Sequence, residues 1–65
     1  MRYKLIIHDK NYGTDKSRVV FCDTYDTEPT HDEMVDLVLE ECGQVAELMI
    51  GENNDFVTRY IMTIK

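Results

Sequence analysis

Two histidines, two cysteines, one serine and thirteen carboxylates are the side chains of this chain that could take part in chemistry. The first five offer no recognisable site. His8, Cys22, His31 and Cys42 match none of the close C-x₂₋₄-C or H-x₃₋₅-H spacings that a zinc ion asks for. Ser17 has no G-x-S-x-G context. Cys42 follows Glu40 and Glu41, a setting that does not activate a thiolate. The stretch from Asp9 to Asp15 reads D-x-N-x-G-x-D and offers oxygen atoms at alternate positions, as a calcium loop would. In an EF-hand the glycine comes sixth and a bidentate glutamate twelfth. Here Gly13 is fifth, Val20 is twelfth, and Lys10 and Lys16 oppose a cation, so a plain hairpin loop is expected. These readings predict a protein without metal, cofactor or catalytic activity.

The carboxylates are distributed unevenly. From Val19 to Thr58 there is no lysine or arginine, and eleven of the thirteen acids lie in that stretch. All seven basic residues lie outside it, at the two ends, and the whole chain carries a formal charge of −6. An acidic protein lacks the lysines and arginines that neutralise phosphates, which argues against direct binding to nucleic acid and against anionic membrane surfaces. A basic protein is the complementary partner.

Sixty-five residues make one small domain, spanning 1–65. A chain of this length buries only about 60% of the surface its unfolded form exposes, so assistance from a second copy or a partner is welcome. The two cysteines are too few for a secreted disulfide framework and are expected as reduced core thiols in a cytoplasmic protein. Leu5-Ile6-Ile7 is far short of a signal-peptide core, and the longest apolar run, Val19 to Cys22, is too short to span a membrane.

The elements that position these residues follow from periodicity. Alternation predicts strands over Tyr3–His8, Arg18–Thr24, Gln44–Ile50 and Phe56–Ile64. Thr30 and Glu33 form a T-x-x-E capping box before an apolar stripe of Met34, Val35, Val38 and Cys42, widened by Leu37 and Leu39. Gly43 is the expected C′ stop. The predicted order is ββαββ: an α+β domain with one helix packed on one face of a four-stranded, mostly antiparallel sheet.

Two surfaces follow. Asp32, Asp36 and Glu40 recur every fourth residue on the outer side of the helix, flanked by Glu33 and Glu41. Like charges at this spacing repel by roughly 0.2–0.5 kcal/mol per pair. Glu40 and Glu41 also oppose the helix dipole, so local stability alone would not choose them. One reading is a solvated face that keeps the protein soluble; the other is a docking surface for a basic partner. A row of carboxylates on a rigid element can stand in for nucleic-acid phosphates. In size and charge the chain resembles the small acidic proteins that phages and other mobile elements encode, which implies a DNA-mimic inhibitor of a nucleic-acid-binding protein. The second surface is the uncovered sheet face, where Ile6, Met49, Val57 and Ile61 are expected beside Lys4, His8 and Arg59. Those apolar residues would serve a homodimer, or lie singly on the surface as apolar residues often do. Tyr12 and Tyr25, flanked by polar residues, would be interface rims or covers for the edge of a thin core.

Overall fold

The computed structural model describes residues 1–64. Four strands and one helix follow in the order β1 (Arg2–His8), β2 (Val19–Tyr25), α1 (His31–Glu40), β3 (Val45–Glu52) and β4 (Asp55–Thr63). The strands form one sheet in the order β2-β1-β3-β4, antiparallel throughout, which is the expected ββαββ arrangement. Among the described residues no helix is long and apolar enough to cross a membrane.

Alternation on the two central strands sets the core. Leu5 and Ile7 of β1 lie opposite Leu48 and Ala46 of β3, and all four are buried. Met34 and Val38, one turn apart on α1, close over them. Tyr3, Phe21, Tyr25, Leu37, Met62 and Ile64 ring this cluster. Burying a side chain of this size is worth about 1.5–3 kcal/mol relative to leaving it exposed, so the contact between α1 and the inner strands dominates stability. The helix begins at the predicted cap. Thr30 accepts the Glu33 amide at 3.1 Å, and Glu33 accepts the Thr30 amide at 2.8 Å.

The other end of the helix differs from expectation. Gly43 is not the left-handed residue; Cys42 is, at φ 58. The Cys42 amide donates to Leu39 and the Gly43 amide to Val38, which makes a Schellman closure with cysteine at C′. Gly43 is fixed for another reason. A Cβ there would run into the Ile7 side chain and lie 3.2 Å from the His8 carbonyl oxygen. The reversal takes Cys42 out of the apolar stripe and leaves it exposed. Cys22 is exposed too, on the uncovered face of β2 opposite Ile6, so neither cysteine is a core thiol. Leu39, expected to widen the stripe, is 63% exposed.

Each outer strand carries one extra residue. Between Ile7 and His8 the partner on β2 jumps from Phe21 to Val19, which leaves Val20 unpaired. Between Leu48 and Met49 the partner on β4 jumps from Tyr60 to Thr58, which leaves Arg59 unpaired. A bulge reverses which face the following residues occupy. Val57 therefore sits opposite Ile50 on the helix side of the sheet, and Phe56 takes its place on the uncovered face, opposite Gly51. Arg59 also leaves the uncovered face and reaches Glu28 near the helix start, Nε to Oε1 at 3.3 Å. The β3–β4 connection is tighter than the gap between the predicted strands Gln44–Ile50 and Phe56–Ile64. Glu52 pairs with Asp55 around Asn53-Asn54, and only Asn53 takes positive φ.

A cysteine held at φ 58 is strained by roughly 1–2 kcal/mol relative to glycine. Cys42→Gly is expected to raise stability by about 1 kcal/mol, with part of the relief offset by the freer unfolded chain. Gly43→Ala is expected to lower stability through its clash with Ile7. Thermal melts of both variants check this: the midpoint should rise for the first by about 4–8 °C and fall for the second.

Candidate functional site: an acidic helix face and the groove beside it

On α1, Asp32, Asp36 and Glu40 are exposed, on the side opposite the buried Met34 and Val38. At about 1.5 Å rise per residue they stand roughly 6 Å apart along the axis. No ion pair among the described residues engages them. Glu33 is adjacent but partly committed to the helix cap. Its carboxyl is held below the usual carboxylate range by the Thr30 amide first and the Thr30 hydroxyl second. Glu41 departs from the expected row. It is the C-cap, seven residues on from Met34, and is only partly exposed on the side of the buried stripe.

The remaining acids of the central stretch do not join this face. Asp26 pairs with Arg2 at 3.4 Å and Glu28 with Arg59 at 3.3 Å. Glu52, near the end of β3, lies 3.6 Å from the N-terminal amine. Glu47 lies on the uncovered sheet face, opposite Ile6 and Ile61. The dense sequence run thus resolves into one free row on α1 and several paired or scattered carboxylates.

Beside the row lies a groove of about 340 Å³ between α1 and the end of edge strand β2. Tyr25, Pro29 and Leu37 give it apolar surface; Glu33, Asp36 and Glu40 also line it. Burial pushes the Tyr25 phenol above its ordinary value, and the negative charges of Asp23 and Glu33 push it further. Asp23, Pro29 and Leu37 were not candidates by sequence. The available signal was Tyr25 itself, an aromatic residue amid polar neighbours one strand away from an acidic helix.

The uncovered sheet face carries a polar network at its centre. His8 Nε2 lies 3.1 Å from Glu47 Oε1; because a carboxylate only accepts, the ring nitrogen donates. Thr58 donates its hydroxyl to Glu47 Oε2 at 2.6 Å. Tyr12 of the β1–β2 loop packs against His8, ring centroids 4.5 Å apart and planes tilted by 51°. Around the network lie Ile6, Met49 and Ile61, with Lys4 above the Phe56 ring at 5.4 Å. The Glu47 carboxyl is held low by the Thr58 hydroxyl above all, with burial working against this and His8 adding to it.

In the β1–β2 loop, Asp9 turns its carboxylate inward. Its Oδ1 accepts the amides of Asn11 at 2.9 Å and Arg18 at 3.3 Å, which is the bonding of a hairpin loop. A depression of about 630 Å³ there is lined by Asp9 and Asp15 together with Lys16 and Arg18, so its charge is mixed. Among the described residues no group of three or more His, Cys, Asp or Glu is placed to hold a metal ion.

Two predictions follow from these geometries. The negative end of the α1 dipole meets no basic residue in its last turn. Glu40→Lys should therefore stabilise the fold by about 0.3–1 kcal/mol, measured by urea unfolding at low salt. Because the Glu47 carboxyl titrates below its usual 4.5, its contribution to stability is complete above that pH and is lost as pH falls through the lowered value. Thr58→Val should bring the Glu47 midpoint back up, read by carboxyl-carbon NMR titration, and reduce stability near neutral pH by about 1–2 kcal/mol.

Compared with known proteins, the chain matches no family model, no curated sequence and no solved structure.

Proposed function

We propose that this is a non-enzymatic, cytoplasmic acidic binding protein that engages a basic, nucleic-acid-binding protein through the outer face of α1. In this reading Asp32, Asp36 and Glu40, with Glu33 beside them, present carboxylates to a surface built for phosphates, and the protein acts as a DNA-mimic inhibitor of the kind mobile elements encode. One observation carries the reading. Arg2 and Arg59 are occupied by Asp26 and Glu28, while the carboxylates on α1 have no such partner among the described residues. A rigid helix keeps the row in place, so little ordering is lost on association, and unscreened charge of one sign steers the encounter.

A second reading rests on the uncovered sheet face. Ile6, Met49 and Ile61, with Ile61 48% exposed, are apolar surface with no helix over them, and a second copy of the chain would cover them. It predicts a salt-tolerant dimer by light scattering that is lost in Ile61→Lys.

The test of the first reading is capture of partners from the native cell at low salt, followed by a salt series and a gel-shift assay of the captured protein on DNA. The expected result is a basic protein that is released as salt rises toward about 0.5 M, where screening shortens to a few ångströms. The captured protein should also lose its DNA binding when this chain is added. Asp36→Lys with Glu40→Lys should weaken capture tenfold or more while the circular dichroism spectrum is preserved. Capture that ignores both salt and charge reversal would overturn the reading.

A further inference from the structure

We infer that the groove between α1 and β2 takes an arginine side chain from the basic partner, with the guanidinium over the Tyr25 ring and its donors on the carboxylates of α1. This rests on the acidic-face reading above and specifies its anchoring contact. A row of charges on a helix would recognise any cation equally, but the groove is more selective. At about 340 Å³ it lies at the small end of ligand sites, roughly 300–1,000 Å³, so it suits one or two side chains rather than a folded element. Its apolar lining, Tyr25, Pro29 and Leu37, matches the methylene stem of a long cationic side chain. Glu33, Asp36 and Glu40 bring negative charge to it, and among the described residues no lysine or arginine lines it.

Burial raises the Tyr25 phenol first, and the negative charges of Asp23 and Glu33 raise it further, in keeping with the acidic lining of the groove. Arginine fits such a slot better than lysine. Its planar guanidinium stacks on an aromatic face, carries five donors in a fixed fork that two carboxylates can share, and is more weakly hydrated than an ammonium. Glu33 keeps accepting capacity beyond its bond to the Thr30 amide, and Asp36 and Glu40 are exposed.

The experiment uses two short peptides, three arginines or three lysines spaced by glycine, titrated into the isotope-labelled full chain at low salt and followed by NMR. The arginine peptide should bind about five- to tenfold tighter than the lysine peptide and should shift the Tyr25 ring and Leu37 methyl signals. Tyr25→Leu keeps apolar volume beside the core while removing the aromatic face, and should bring arginine-peptide binding down to the level of the lysine peptide. Leu37→Met is a second variant, which should retain the preference. Equal binding of the two peptides, or a preference that survives Tyr25→Leu, would overturn the groove. If that equal binding is salt-sensitive and maps to Asp32 and Asp36, the acidic face stands without it. Absence of binding by either peptide would remove both.

Discussion

A four-stranded sheet has two faces, and this chain has one helix to lay against them. Met34 and Val38 bury themselves over Leu5, Ile7, Ala46 and Leu48, and every other surface is defined by that choice. Once α1 is pinned by its inner stripe, Asp32, Asp36 and Glu40 are turned outward. The groove beside Tyr25 is lined on the helix side by Leu37, Glu33, Asp36 and Glu40. The face carrying Ile6, Met49 and Ile61 stays open because the described residues hold no second helix to cover it. Seven residues are buried apolar core, so stability is concentrated in few contacts and any surface charge tolerated here is tolerated against a thin margin.

The sign of the charge follows a similar division of labour. Two of the three arginines fasten the chain: Arg59 ties β4 to the segment before the helix, and Arg2 ties β1 to the segment after β2. Glu47, whose side chain is largely enclosed, is satisfied by Thr58 and His8. Among the central acids without an ion pair in the described residues, Asp32, Asp36 and Glu40 make the row on α1. Exposed ion pairs of the first kind contribute about 1 kcal/mol or less each, so the division does not rest on their strength. It rests on geometry, since neither arginine is paired on the outer side of α1.

Much of this was legible in the residues. The capping box at Thr30 and Glu33, the stripe of Met34 and Val38, and the alternation of Leu5, Ile7 and Leu48 are local signals with local causes, and the elements they imply all form. Features set by tertiary packing were not legible. Nothing in the letters around Arg59 distinguishes a regular strand from one with an inserted residue, and that insertion moves Val57 across the sheet. Cys42 takes the left-handed position, and beside it Gly43 has no room for a Cβ against Ile7, a residue far away in sequence. Glu41 was read with the outer acids by adjacency, although its angular position follows Met34. The groove is also non-local, formed where a strand end meets a helix flank.

The irregularities at Val20 and Arg59 fall on the two outermost strands, one on each rim of the sheet. A smooth rim exposes a ladder of unpaired amides and carbonyls that invites a neighbour to extend it indefinitely; a rim with a kink breaks that ladder. Endless ribbon growth is thereby discouraged on both sides. The kinks weigh against growth along the rims and leave the helix and the open sheet as the broad faces of the molecule.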